Sequence, residues 1–308
     1  MANKTIQTNK VFRVSLIVYI AIFVIGIIMC FFGIKLDINF SGGTRITYSY
    51  TGDVKEADFD ATVKEFIQQD YKLTQNTSLA GDAKTYTINL IGRKALDADV
   101  QENVTKALEE KFKDNKIELY DSTSVSPTVA GTFFLKSMVA VILTAVFVVI
   151  YVGFRFRKIG GISAALTALC ALVFDVLVSF FVCVIFRLQI DSNYIAVVLT
   201  LLGYSLNDTI VVYDRVRENN KLYPQLTVGE LMDRSISGVI SRNIVTTVTT
   251  VLAVLTIIVV SELYGLSSLR TFAIPMVFGL LSGCISSMFV AGPLWVLWKN
   301  RKAKKEQK

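Results

Sequence analysis

GYSLNDTIVVYDRVREN, residues Gly203 to Asn219, decides the fold class. An apolar run from Ile195 to Leu202 leads into it, and Ile210 to Val212 continue that run past Asp208. Together they read as a membrane helix with a carboxylate inside it. A charge at membrane depth costs about 3 kcal/mol even on lenient insertion scales, and persists mostly where it faces protein interior or a wet path. Asp208 therefore points to ion or proton handling. At about 1.5 Å per residue it lies only about 9 Å before Asp214 and the charges that follow, in one outer third of the span. A helix-end carboxylate, or one paired for structure alone, is the competing reading.

Outward from that helix, six apolar runs can be counted. They are Val14–Ile34, Phe133–Val152, Ile162–Phe186, Asn193–Tyr213, Ile244–Val260 and Phe272–Trp298. A helix needs about 20 residues to cross the hydrocarbon core. The fifth run is short and is expected to extend at its ends. The first is too long for a signal-peptide apolar region and has no small-residue cleavage pattern after it, so it reads as an anchor. Composition agrees: of 308 residues 53% are hydrophobic and 19% charged, with mean hydropathy +0.52. That balance fits a polytopic membrane protein. The net charge of +7 comes without a nucleic-acid motif and clusters beside the spans, so no nucleic acid is expected as a partner. The chain has no His, which excludes His-based metal sites, triads and relays. Cys30, Cys170, Cys183 and Cys284 lie in apolar stretches without metal-binding spacing. No metal, cofactor or enzymatic activity is expected.

Basic residues set the orientation. Lys4, Lys10 and Arg13 precede span one, and Arg155, Arg157 and Lys158 separate spans two and three. Arg215, Arg217, Lys221, Arg234 and Arg242 separate spans four and five, and Lys299 to Lys305 follow span six. Six spans put all four groups on one face, so both termini are expected in the cytoplasm. The chain then divides into an N-terminus with helix one (1–34), an extracytoplasmic domain (35–130), helices two to six (131–298) with a cytoplasmic loop at 214–243, and a basic tail (299–308).

Segment 35–130 holds 16 Asp and Glu against 12 Lys and Arg. Thr44 to Tyr50 alternates as a strand does. Ala57 to Gln69 places Phe59, Val63 and Phe66 on one helical face. Tyr71 to Leu79 and Thr85 to Ile91 read as strands around a Gly81-Asp82 turn region. Asp97 to Lys113 spaces Val100, Val104, Leu108 and Phe112 as an amphipathic helix, and Lys116 to Ser122 closes as a strand. The order βαββαβ suggests a ferredoxin-like α+β sandwich.

Asn207 and Thr209 flank Asp208 and can hydrogen-bond a carboxylate. Arg242 opens span five at similar depth and is the natural partner, although topology alone also asks for an Arg there. Thr246, Thr247, Thr249 and Thr250 follow it, and 246/250 share a face suited to packing or to water. Asp175 lies about midway along span three and is as strong a candidate as Asp208, with no visible local partner. Gly279 and Gly283 form a GxxxG that allows close helix contact, among Ser282, Ser286 and Ser287. Pro275 bends span six or is tolerated near its start. The basic tail can meet anionic membrane lipid.

Here a resemblance becomes specific. FSGGTRI (Phe40 to Ile46), YVGFRFRK (Tyr151 to Lys158), GYSLNDTIVVYDRVREN, SRNIVTTVTT (Ser241 to Thr250) and FAIPMVFGLLSGCISSMFVAGPL (Phe272 to Leu294) resemble, in order, the blocks of the SecD/SecF family of protein-export subunits. The fourth-span block looks most like the SecF branch. Such a subunit works with SecD beside the SecYEG channel and SecA motor, with a YajC-like small subunit among its partners. It is similar to resistance-nodulation-division transporters and uses the proton or sodium gradient to move exported, unfolded polypeptide across the bacterial cytoplasmic membrane. The resemblance implies ion coupling by Asp208 and Arg242, and by Asp175 with less support. Phe174 stands where the family often has His, and Asn243 where it usually has Thr. Two other classes remain: a half-transporter exporting lipid or small molecules, and a membrane scaffold in which Asp208 and Arg242 only pair.

Overall fold

A computed structural model describes residues 8–77, 84–91 and 96–306. Lys4, the side chain of Lys10 and the Gly81-Asp82 turn region lie outside the described residues.

Among the described residues six helices are long and apolar enough to cross a membrane. They are α1 (Thr8–Cys30), α5 (Pro127–Arg155), α6 (Gly161–Ile185), α7 (Ser192–Leu222), α8 (Val228–Tyr264) and α9 (Ser267–Ser286), the last continued through a π turn at Ser287–Ala291 into α10 (Gly292–Glu306). Local chemistry sets their ends. Ser126 caps α5 with Pro127 in its first turn, and Asp191 caps α7 by accepting from Asn193 N and Tyr194 N. Thr227 and Glu230 close a capping box on α8, which stops at Gly265 in the left-handed conformation.

The stretch 214–243, expected as a loop, is mostly helix. α7 runs on past Tyr213 to Leu222, and α8 begins at Val228. The tail is likewise helical to Glu306. An apolar run marks only the part of a helix that lipid or core covers. Beyond it, i,i+3 pairs such as Arg217–Asp214 and Arg215–Glu218 carry the helix onward. The same extension lengthens the short fifth span.

Three helices form the inside of the bundle. The most apolar windows of α6, α7 and the α9–α10 span are 56%, 44% and 78% buried, against 17%, 11% and 22% for α1, α5 and α8. The outer three present large aliphatic side chains outward, among them Ile17, Leu135, Ile142 and Val259. Facing lipid or a partner costs such surfaces little.

Between α1 and α5 lies the α/β domain. A short helix α2 (Ile38–Ser41) precedes β1 (Gly43–Tyr50), α3 (Glu56–Phe66), β2 (Lys72–Thr77), β3 (Lys84–Ile91), α4 (Ala98–Lys111) and β4 (Glu118–Val125). The four strands pair antiparallel in the order β2-β3-β1-β4. Period-two alternation turns Ile46, Tyr48 and Tyr50 of β1 and Tyr86, Ile88 and Leu90 of β3 to one face, where Phe59 and Val63 of α3 and Val104 and Leu108 of α4 cover them. Tyr86 stacks between Tyr50 at 4.9 Å and Phe59 at 4.5 Å.

The domain is pinned to the bundle at Asp37, which is wholly buried. Leu36 bridges to Ile190 in the α6–α7 connection, and Asp37 N donates to Ile190 O at 3.0 Å. The Asp37 carboxylate accepts from Asn39 Nδ2 at 2.7 Å and Gln189 Nε2 at 3.1 Å, and pairs with Arg45 of β1. Arg45 Nε reaches on to Asn89 Oδ1 of β3 at 3.1 Å. One carboxylate thus joins the exit of α1, the α6–α7 turn and the sheet. At the far end of the bundle Thr8 N donates to Asp233 Oδ1 at 3.1 Å, and Arg155 of α5 pairs with Asp214 of α7 at 3.1 Å.

Candidate functional site

Asp175 lies midway along α6 and has no exposed surface. A carboxylate there needs donors, and none is near in sequence. Other helices supply them. Ser205 Oγ of α7 donates to Asp175 Oδ2 at 2.5 Å, and Ser286 Oγ of α9 donates to the same oxygen at 2.8 Å. Ser282 Oγ of α9 donates to Oδ1 at 2.6 Å. Ser282 and Ser286 are one turn apart, so one face of α9 presents both. Hydroxyl donors can rotate, and a hydroxyl accepts as readily as it donates. The cage can therefore hold the group as carboxylate or as acid without moving a helix.

Gly283 makes room for this. A Cβ there would sit 3.1 Å from the Cβ and Oγ of Ser205 and 3.6 Å from Asp175 Oδ2. A Cβ at Gly279 would fall 2.3 Å from Leu201 Cδ1 of α7. The GxxxG is thus the seam where α9 meets α7, and it lies against the acid. The π turn begins at Ser287, directly after the two serines, a distortion frequent at functional sites.

Asp208 sits one turn further along α7 than Tyr204 and is 2% exposed. Its Oδ2 is buried without a hydrogen-bond partner among the described residues. Asn207 is exposed and turned away from it. Thr209 is buried, but its hydroxyl donates to Ser205 O at 3.1 Å instead. Arg242 is exposed; its charge acts on Asp208 through space, yet no ion pair joins them among the described residues. The expected Asp208–Arg242 pair is therefore not closed in this arrangement. The residue after the Arg takes the inward place: Asn243 is 1% exposed and its Nδ2 has no partner among the described residues. Thr246 donates to Arg242 O and Asn243 O, both at 3.0 Å. Thr247 is buried beside the Cys284 thiol, with no hydrogen bond of ordinary geometry.

The residues that sequence reasoning left out are Ser205 and Tyr19 of α1, whose hydroxyl lies 3.1 Å from Ser282 Oγ, along with any role for Ser282 and Ser286 beyond packing. Ser205 stands three residues before Asp208, inside the block that singled out that acid. Tyr19 carried no signal except a polar tip in an aliphatic run.

Comparison with known proteins decides the family. The sequence pattern described as protein export membrane protein SecD/SecF, C-terminal, matches residues 103–301. The chain belongs to the SecD/SecF family. A protein translocase subunit SecF of Alicyclobacillus acidocaldarius is 32% identical over 92% of this chain and 90% of its own length. The protein translocase subunit SecDF of Bacillus subtilis is 31% identical over 91% of this chain and 36% of its length. Among solved structures, SecDF from Thermus thermophilus, titled a translocon-associated membrane protein, superposes with a TM-score of 0.77 at 27% identity, over 94% of this chain and 38% of that one. SecDF in a super-membrane-facing form gives 0.66 at 27% identity, over 97% and 39%. This chain thus spans under two-fifths of the SecDF chains. The SecD/SecF match contains Asp175, Ser205, Asp208, Arg242, Ser282 and Ser286, while Tyr19 and Asp37 precede it.

Proposed function

We propose that this chain is a Sec translocation accessory subunit that uses an ion gradient to promote movement and release of exported polypeptide. It belongs to the protein-export family and has a multi-pass helical bundle, which supports the coarse activity. The SecDF relatives, in which one chain includes both halves, support a SecD-like partner. The antiparallel sheet with two helices on one face supports reading the domain as ferredoxin-like, and the basic flanks of the spans support placing it outside the cytoplasmic membrane.

The observation that carries ion coupling is the pair of buried acids on adjacent inner helices. An intramembrane carboxylate facing a bundle interior is a functional group by default. Loss of its charge on protonation can bias two packings of a helix bundle. A potential of about 100 mV supplies about 2.3 kcal/mol per charge moved, enough to tip a marginal equilibrium. Asp208 and Arg242, not paired with each other among the described residues, are the groups such a second packing would bring together.

The test is release of exported protein in cells carrying Asp208→Asn, with membrane abundance and retention of the SecD-like partner measured alongside. Slowed release at normal abundance supports coupling through Asp208. Normal release removes that role and leaves Asp175 or a scaffold.

A further inference from the structure

A Tyr in a membrane helix usually puts its hydroxyl at the interface. Tyr19 lies in the middle of α1 and is 4% exposed, while its neighbours Val18 and Ile20 are half exposed. Its ring packs edge-on against Phe174 at 5.2 Å, next in sequence to Asp175. Its hydroxyl reaches past α6 to α9, where Ser282 Oγ and Ser282 O both lie at 3.1 Å. Ser282 Oγ in turn donates to Asp175 Oδ1 at 2.6 Å. A chain of hydroxyls therefore joins α1, α9 and the acid on α6.

The hydrogens in that chain can follow the state of Asp175. Its Oδ2 takes two hydroxyl donors and Oδ1 takes one, so reversing the single Ser282 bond suffices to seat a proton on Oδ1. With Asp175 ionised, Ser282 gives its hydrogen to Oδ1, and Tyr19 donates to Ser282 Oγ or Ser282 O. With a proton on Oδ1, that hydrogen points at Ser282 Oγ. Ser282 Oγ then accepts from Asp175 and is free to donate to Tyr19, which keeps Ser282 O as its own acceptor. No proton leaves Asp175 for the tyrosine; only the direction of the hydrogen bonds reverses. α1 then continues within a few residues to Asp37 and, through Arg45, to the sheet.

We propose that Tyr19 is the positioning residue through which Asp175 acts on α1, the helix that leads into the α/β domain. The proposal rests on Asp175 being an ion-coupling residue. The titratable groups facing Asp175 are Tyr19 on α1, Asp208 on α7 and Cys284 on α9.

Tyr19→Phe keeps the ring and removes the hydroxyl. The readout is the gain in release of exported protein when a proton gradient is imposed on membrane vesicles holding the complex with its SecD-like partner, at matched abundance. The gain is expected to fall about fivefold, the factor for roughly one lost hydrogen bond. Ser282→Ala breaks the same chain from α9 and is expected to lower the gain alike, with the double variant no lower than either single one. An undiminished gain in Tyr19→Phe overturns the proposal, as does a double variant whose losses multiply. Should Tyr19→Phe not accumulate, Ser282→Ala alone decides, by the same criterion. Asp175→Asn run in parallel separates the two claims: a normal gain there overturns the ion-coupling reading itself, whereas loss there with a normal Tyr19→Phe overturns only the role of Tyr19.

Discussion

Asp175 and Asp208 sit on neighbouring helices of one bundle, and both are shut away from the surface. Asp175 is held by three hydroxyls from two other helices. Asp208 keeps a buried oxygen with no partner among the described residues, near an Arg that faces outward. The contrast separates two kinds of polar burial. A fully satisfied network fixes a geometry, and an unsatisfied carboxylate leaves a cost that another arrangement can relieve. Asp175 is thus the preorganised member, and Asp208 the member whose surroundings have still to change.

Four substitutions test this contrast between the two acids. The largest effect is expected at Asp175. Asp175→Asn keeps the shape but cannot take up and release a proton, so gradient-driven release of exported protein falls to the uncoupled level while membrane abundance holds. Next is Gly283→Val, which pushes α9 off Ser205 and Asp175. It is expected to cost about 1–3 kcal/mol of stability by overpacking, read as an earlier thermal unfolding midpoint in detergent. Asp208→Asn removes a charge whose Oδ2 is unsatisfied, so stability is unchanged or improved even as release slows. A matching fall in stability would show that Asp208 is paired after all. The smallest effect on stability is expected from Arg242→Ala, within about 0.5 kcal/mol, because the side chain is exposed and unpaired among the described residues. A loss of several kcal/mol would mean that the closed Asp208–Arg242 pair dominates the population.

Much of this was legible in the chain. The six spans follow from apolar run length, and the α/β domain from its alternation and four-residue spacing. Helix ends were less legible: the residues of 214–243 are charged, and hydropathy does not see a helix that leaves the apolar layer on its own ion pairs and capping box. Both acids stood out because a lone carboxylate in an apolar run is conspicuous. Their surroundings did not, since the donors to Asp175 come from positions 30, 107 and 111 residues away. Nor does local sequence tell which of Arg242 and Asn243 turns inward, because helix rotation is set by packing.

The proposed coupling to a proton gradient runs through the hydroxyl-caged acid of α6. Its most direct test is the release rate of an exported protein, with the gradient intact and then collapsed by an uncoupler, in the parent and in Asp175→Asn at equal abundance. Collapse is expected to slow the parent and to leave Asp175→Asn unchanged at the slow rate. A variant that still releases quickly with the gradient, and slows when it is collapsed, would contradict it.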